Sequence, residues 1–132
     1  MKRRAPDVRQ FMTRLPVEAE RCETAQQAWD LMEKHHVHHL PVMSGSHLRG
    51  VVSRETLLEA QITNQSHFAD CPVEQCCVPQ PLIVEPVAPI DEVVREMQKH
   101  AVDCALVMDG GFVVGVFTST DVLRFVADFF GQ

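Results

Sequence analysis

Apolar residues recur at helical spacing in two stretches of the chain. In the first stretch, Thr24 precedes apolar residues at positions i, i+3, i+4 and i+7, which are Ala25, Ala28, Trp29 and Met32. The second stretch begins after Pro89 and repeats that spacing with Ile90, Val93, Val94 and Met97. Because residues at these intervals share one face of an α-helix, each stretch predicts an amphipathic helix.

Extended segments surround both predicted helices in the same order. A short extended segment precedes each helix, at 16–19 and at 81–84. Two apolar runs follow each helix, at 40–43 and 48–52 around Ser44-Gly45, and at 105–108 and 112–117 around Asp109-Gly110. Such a pair of runs joined by a glycine turn predicts a β-hairpin. A closing helix is predicted at 55–61 and at 121–130, so the order β-α-β-β-α occurs twice.

The two halves of the chain are copies of each other at an offset of 65 residues. Gly50-Val51-Val52-Ser53 matches Gly115-Val116-Phe117-Thr118, and 115 − 50 = 65. From 8–60 against 73–125, 14 of 53 positions are identical without a gap, where average composition gives roughly three. We interpret this as a duplication, with one repeat in 1–67, the other in 68–132, and the polar stretch 62–70 as connector.

Each repeat alone leaves part of its sheet uncovered. Two repeats related by approximate two-fold symmetry can bury those surfaces against each other. We therefore expect an α/β fold in which two β-α-β-β-α repeats form one module.

Charge and composition limit the classes of function that the chain can have. The chain has 132 residues, 45% of them hydrophobic, and a net charge of −6. An acidic chain disfavours non-specific nucleic-acid binding, and the apolar runs are far shorter than the roughly 20 residues of a membrane helix. The start, Met1-Lys2-Arg3-Arg4, lacks a secretory signal, and five cysteines are an odd number. We expect free thiols and a cytoplasmic location.

The ordered motifs resemble those of the tandem cystathionine-β-synthase (CBS) domain pair. The resemblance rests on four strings of the first repeat and one of the second: Val8-Arg9-Gln10-Phe11-Met12-Thr13, Ala28-Trp29-Asp30-Leu31-Met32, His39-Leu40-Pro41-Val42, Gly50-Val51-Val52-Ser53 and Gly115-Val116-Phe117-Thr118-Ser119-Thr120-Asp121. It implies a regulatory module rather than an enzyme. It also implies an adenosine-containing ligand, such as AMP, ADP, ATP or S-adenosylmethionine, in the cleft between the repeats, and a homodimer.

The second repeat carries the stronger candidate site. Thr118 stands where a strand ends and a helix begins, and a helix N-terminus suits a phosphate. Asp121 can accept hydrogen bonds from both hydroxyls of a ribose, and the family gives these roles to the matching residues. We expect Ser119 and Thr120 beside them, and the purine on the apolar strand surface near Pro81, Leu82, Ile83 and Ala105. For about 23 heavy atoms, roughly 0.3 kcal/mol each gives a Kd on the order of 10 μM.

The same residues fit a bland alternative. Thr118-Ser119-Thr120-Asp121 has the spacing of a capping box, which stabilises a helix start without any ligand. On this interpretation the chain is a ligand-free dimerisation or scaffold module. The two interpretations are compatible, because Thr118 can cap the helix in the absence of a ligand and bind the ligand when it is present.

The first repeat departs from the family string. Its counterpart is Ser53-Arg54-Glu55-Thr56, with Thr56 in place of the carboxylate. A neutral hydroxyl cannot hold two ribose hydroxyls as a carboxylate does, so we expect Ser53, Arg54 and Thr56 to form a weak or empty second site. The resemblance also implies that His38 or His39 faces the phosphates of a nucleotide held by Asp121. The second repeat has Asp103-Cys104 there, which repels phosphate.

Two further clusters are weaker candidates. His35-His36-Val37-His38-His39 offers imidazoles for a metal-responsive site, but the helix is expected to end near His35 and a strand to begin near His38, so the rings diverge and we assign no metal. Cys71, Cys76 and Cys77 lack the spacing of a zinc or redox motif, and the last two fit small buried residues. Phe129 and Phe130, at the end of the chain, fit either a homodimer seam, contact with an effector protein or core packing. No catalytic constellation is present in the sequence.

Overall fold

The computed structural model describes residues 5–15, 17–20, 23–63 and 68–131. Sequence predictions for the chain start, Pro16, Cys22 and the connector residues Asn64, Gln65 and Ser66 therefore lie outside the described residues. The chain divides into two compact units, which we call the 15–81 unit and the 82–132 unit, and the second of these also includes the N-terminal residues through Arg14. The boundary predicted at 67/68 refers to the sequence repeat and stays a prediction.

Apart from one further strand at Thr13–Arg14, the helices and strands follow the predicted order. The elements are β1 (Thr13–Arg14), β2 (Ala19–Glu20), α1 (Ala25–His35), β3 (His39–Ser44), β4 (His47–Ser53), α2 (Arg54–Thr63), β5 (Ile83–Val84), α3 (Ile90–Lys99), β6 (Cys104–Asp109), β7 (Phe112–Thr118) and α4 (Ser119–Phe130). Short 3₁₀ turns at Val8–Gln10 and Val73–Cys76 begin the two copies. The predicted mixed α/β fold with two β-α-β-β-α repeats is confirmed.

The two sheets are built alike. In the 15–81 unit the strand order is β2-β3-β4, and in the 82–132 unit it is β1-β7-β6-β5. The crossover helix makes β2 parallel to β3 and β5 parallel to β6, whereas each hairpin is antiparallel. Both hairpins have an irregularity at matching positions, Val42/Met43 and Val107/Met108. The two copies therefore share even the register irregularity of their hairpins.

Each unit has its own hydrophobic core. In the 15–81 unit, α1 contributes Ala25, Ala28 and Met32, the apolar positions of the helical pattern. In the 82–132 unit, α3 contributes Ile90, Val93 and Met97 in the same way. Part of the predicted connector 62–70 belongs to the folded unit. Ile62 and Thr63 are in α2, and Phe68 is buried in the core of the 15–81 unit.

The start and the end of α1 have clear local causes. Thr24 accepts a hydrogen bond from the Gln27 backbone N–H, and the Gln27 side chain accepts one from the Thr24 backbone N–H. This capping box satisfies backbone groups that the first helical turn leaves unpaired. Beyond the other end, His36 has a left-handed φ of 53°, and Ala101 after α3 has the same value. Glycine normally takes this conformation.

The segments that begin each copy, residues 8–14 and 73–79, which we call the lead-ins, are exchanged between the copies. Thr13, from the lead-in of the first copy, pairs with Val116 in β7. Val78, from the lead-in of the second copy, pairs with Val51 in β4 through hydrogen bonds of 2.8 and 3.1 Å. A Cβ atom on Gly50 would lie 2.5 Å from the Val78 carbonyl oxygen. Gly50 is therefore required because a lead-in crosses it closely.

Candidate functional site

The candidate site begins at the junction of β7 and α4. Thr118 has extended backbone angles and is the N-cap of α4. Its backbone N–H donates to Asp121 Oδ2 at 2.9 Å, while its side-chain oxygen accepts from the Asp121 backbone N–H at 3.5 Å. The capping box of the ligand-free alternative is therefore present. Ser119 and Thr120 are exposed in the first turn of the helix.

The Asp121 carboxylate is buried and saturated. Its side chain is 2% exposed. Oδ2 accepts from the backbone N–H and the hydroxyl of Thr118, at 2.9 and 3.2 Å. Oδ1 accepts from the Thr13 hydroxyl at 3.1 Å and from Arg124 Nη2 at 2.8 Å. These four donors match the lone-pair capacity of a carboxylate, so a ribose can bind to Asp121 only in exchange for one of them.

Arg124 also ties the lead-in to α4. Its Nη2 donates to the Phe11 carbonyl oxygen at 2.7 Å as well as to Asp121. The Phe11 ring packs edge-on against Phe125, with centroids 5.1 Å apart. We call Thr13, Asp121 and Arg124 the carboxylate latch, because the three side chains join the lead-in, the N-terminus of α4 and its second turn.

The apolar candidates of the 82–132 unit lie at one end of its sheet. The register pairs Ile83 with Leu106, and Ala105 with Phe117, next to Thr118. The Leu82 carbonyl oxygen accepts from the Leu106 N–H at 2.8 Å. Ile83 is 49% exposed, but Ala105 is fully buried in the core, so its methyl group faces protein atoms. Pro81 is the last residue of the 15–81 unit and is partly exposed.

The matching junction of the 15–81 unit is closed by hydroxyl groups. The Ser53 backbone N–H donates to Thr56 Oγ1 at 3.0 Å, and the Thr56 N–H donates to Ser53 Oγ at 3.1 Å. The Thr56 hydroxyl itself donates to the Ser53 carbonyl oxygen at 2.9 Å. Thr56 therefore reproduces the capping geometry of Asp121 without a charge.

Arg54 lies across Trp29 at this junction. Its guanidinium is 4.4 Å from the ring centroid and 3.7 Å from Glu33 Oε1. A cavity of about 310 Å³ opens beside it, lined by Met32, Glu33, His36, Val37, His38 and Arg54. The cation–π contact and the ion pair hold Arg54 at the rim of this cavity.

The histidine run is split between three local structures. His35 ends α1, His36 is the left-handed cap, and His39 begins β3 opposite Ser53. His38 is exposed, and its carbonyl oxygen accepts from the Arg54 N–H at 2.9 Å. Within the described ranges, no three His, Cys, Asp or Glu side chains are grouped as metal ligands. A role of His38 or His39 toward a phosphate stays a prediction.

Sequence reasoning missed two members of the latch. Arg124 lies three residues after Asp121, a spacing at which helical side chains meet, so the i, i+3 charge pair was available as a signal. Thr13 is 108 positions away from Asp121. No local pattern predicts that contact, because it depends on the exchanged lead-in.

Comparisons with known proteins agree with this architecture. The model of the CBS domain matches the chain twice, at residues 8–63 and 73–128. No curated relative matches the sequence. None of the described helices is both long and apolar enough to cross a bilayer.

Solved structures with the same fold cover nearly the whole chain. A Vibrio cholerae protein assigned to acetoin utilization (AcuB) is 29% identical, with a TM-score of 0.76 over 96% of this chain and 94% of that one. The CBS domain pair of protein MJ0100, solved with 5-methylthioadenosine and S-adenosyl-L-methionine, is 22% identical, with a TM-score of 0.80 over 94% and 98%. CBSX2 in complex with AMP is 24% identical, with a TM-score of 0.72 over 95% and 98%.

Proposed function

The chain belongs to the CBS domain family, and we propose that it is a regulatory module that binds an adenosine-containing nucleotide of the AMP, ADP or ATP class. CBS domain pairs are in general regulatory rather than catalytic. Proteins of the same fold were solved with AMP and with S-adenosyl-L-methionine. The observation that carries the proposal is the string Gly115–Asp121, which puts a capping hydroxyl and a carboxylate together at the N-terminus of α4.

Binding at this junction requires an exchange of partners on Asp121. One hydroxyl of the ribose replaces the Arg124 guanidinium on Oδ1, while Thr13 keeps its bond to Oδ1 and Thr118 keeps its bonds to Oδ2. The phosphate is attracted by the positive end of the α4 dipole. Ligand binding and the carboxylate latch are therefore in competition, and this competition is the proposed route from nucleotide to conformational change.

The test is calorimetric titration of AMP, ADP, ATP and S-adenosylmethionine into the wild-type chain and an Asp121→Asn variant. We expect one site per chain, since Thr56 offers no carboxylate, and at least a tenfold weaker Kd in the variant. Asp128→Asn, at an exposed carboxylate on the same helix, is the matched control and retains affinity. Two equal sites, or unchanged binding by Asp121→Asn, would contradict the proposal.

The capping geometry supports a second candidate function, a ligand-free scaffold or dimerisation module. Asp121 already has a full set of donors without ligand, as a purely structural residue does. The outer face of α4 exposes Leu123 by 70% and Phe130 by 77%, and such apolar surface fits a homodimer seam. Under this function no nucleotide raises the melting temperature, and Leu123→Lys converts a dimer to a monomer in light scattering.

The proposal also covers location and partners. We expect the module to act in the cytoplasm, with an adenosine ligand, a second copy of itself and an effector protein as its partners. Neither nucleic acid nor membrane belongs to the proposed set.

A further inference from the structure

Two cysteines outside the proposed nucleotide site are in side-chain contact. Cys71 Sγ and Cys76 Sγ lie 3.7 Å apart across the 3₁₀ turn Val73–Cys76. Both residues are partly exposed. In a disulfide the two sulfur atoms are about 2.05 Å apart, so the remaining gap of less than about 2 Å is within reach of side-chain rotation. We propose that Cys71 and Cys76 form a reversible intramolecular disulfide, which makes this turn a redox modification site.

The backbone holds both thiols in place before oxidation. The Cys71 carbonyl oxygen accepts from the Ala25 N–H at 2.7 Å, at the start of α1. The Val73 N–H donates to the Glu23 carbonyl oxygen at 2.7 Å, and the Val73 side chain is fully buried. The turn is thus anchored between the two cysteines, and the bond forms without unfolding the 15–81 unit.

The neighbouring thiol is directed elsewhere. Cys77 Sγ donates to the Glu74 carbonyl oxygen at 3.1 Å and packs against the backbone at Gly50. Cys77 is therefore engaged with the backbone, although it is adjacent in sequence to Cys76. This arrangement makes the Cys71–Cys76 bridge selective.

The order of attack follows from the state of Cys76. Burial, followed by the hydrogen bond with Cys71, raises the pKa of Cys76 to about 11. Cys76 is thus protonated at neutral pH, and since the thiolate is the nucleophile, it is a poor first nucleophile. Cys71 makes the first attack, and Cys76 acts as the resolving thiol.

The oxidant is a low-molecular-weight disulfide, RSSR. The Cys71 thiolate attacks one sulfur of RSSR, its proton having gone to solvent, and RS⁻ leaves with the electron pair of the broken S–S bond. Cys76 then loses its proton and attacks Cys71 Sγ in the mixed disulfide, releasing the second RS⁻. The two thiols are oxidised, one RSSR is reduced to two RSH, and the protons balance.

The bond acts where the second lead-in is docked. Residues 71–78 contact the start of α1 and pair with β4 at Val51. A disulfide across Cys71 and Cys76 closes a short loop and restricts the unfolded chain. We expect the melting temperature to rise by about 5 °C on oxidation, and the docked lead-in to be released less often.

The experiment uses the full chain with Cys22→Ser, Cys77→Ala and Cys104→Ser, so that only Cys71 and Cys76 remain. Incubation with glutathione disulfide at pH 7.5 is expected to lower the intact mass by about 2 Da, and dithiothreitol restores it. The reaction should be at least tenfold faster in the native chain than in the same chain in 6 M guanidinium, because the fold holds the thiols together. Adding Cys76→Ala should leave a stable glutathione adduct on Cys71.

Three results would overturn the proposal. They are a persistent glutathione adduct in the chain that retains both thiols, no reaction at all, and equal rates in the native and unfolded chains. None of these outcomes depends on nucleotide binding, so the redox site and the proposed function stand or fall separately.

Discussion

The Arg124 guanidinium and the Asp121 carboxylate lie 2.8 Å apart on α4, yet Arg124 is 52% exposed while Asp121 is 2% exposed. The arginine therefore covers one side of a buried charge and faces solvent with its other side. A ligand that needs Asp121 must first replace this exposed partner, which is easier to move than the backbone N–H of Thr118.

Arg124→Ala is expected to strengthen adenosine nucleotide binding. The substitution frees one acceptor position on Asp121 Oδ1, so the ribose no longer competes with a charge-assisted hydrogen bond. Because Arg124 is half exposed and its charge is screened by solvent, we expect about a fivefold lower Kd, or about 1 kcal/mol. Calorimetric titration with AMP measures this. Arg95→Ala, which removes an exposed pair with Asp91 on α3, is the control. A weaker or unchanged affinity in Arg124→Ala would show that the latch does not compete with the ligand.

Gly50→Ala is expected to destabilise the fold. The added Cβ would lie 2.5 Å from the Val78 carbonyl oxygen and 2.8 Å from Cys77 Sγ, and a backbone atom cannot rotate away. We expect the free energy of unfolding in urea to fall by about 2–3 kcal/mol. Ser46→Ala, in the exposed hairpin turn of the same unit, should change it by less than about 0.5 kcal/mol. Wild-type stability in Gly50→Ala would mean that the lead-in does not cross β4 at this position.

Ala101→Gly is expected to stabilise the chain. Ala101 has a φ of 53° after α3, where a Cβ is disfavoured and glycine is not. The free energy of unfolding should rise by about 0.5–1 kcal/mol. Ala127→Gly, in the exposed part of α4, should lower it by about 1 kcal/mol. If both substitutions destabilise the protein equally, Ala101 is not left-handed in solution.

Stability is expected to fall at alkaline pH through Cys104. Burial, followed by the charge of Asp103, raises the pKa of this thiol from 9.0 to about 11. Between those values the unfolded chain releases the proton and the folded chain retains it, so the free energy of unfolding decreases as pH rises from 9 to 11. We expect a contribution of about 1–2 kcal/mol after allowance for partial exposure.

Cys104→Ala isolates this contribution. Urea unfolding at pH 8, 9, 10 and 11 should show a smaller decrease in the variant, while Cys76 and Cys77, whose pKa values are also raised, account for part of what remains. The same decrease in wild-type and variant chains would contradict the assignment to Cys104.

Local periodicity and turn residues predicted every helix and strand except β1. The apolar spacing of Ala25, Ala28 and Met32 reflects burial on one helix face, and the Asp109-Gly110 dipeptide specifies a hairpin whose Gly110 has a φ of 58°. Predicted and observed helices differ by a few residues at their ends, as with α2, which begins at Arg54 and continues to Thr63. Helix ends depend on caps and on neighbours, which the period of a pattern does not contain.

Long-range contacts could not be predicted in this way. The exchange of lead-ins pairs Thr13 with Val116 rather than with its own copy, and no residue type in 8–14 indicates it. The state of Asp121 depends on that same exchange, since Thr13 and the Phe11 carbonyl group take part in the latch. The sequence predicted that Thr118 and Asp121 meet at the β7–α4 junction. It did not predict that Thr13 and Arg124 donate hydrogen bonds to the carboxylate.

The exchanged lead-ins also bear on how such a chain could arise. In a single ancestral copy, the lead-in would have no hairpin of another copy to pair with. It would find one only by exchanging lead-ins with a second, identical molecule. Fusion of two such genes would convert this pairing between two molecules into a pairing within one chain, and no new contact would be needed.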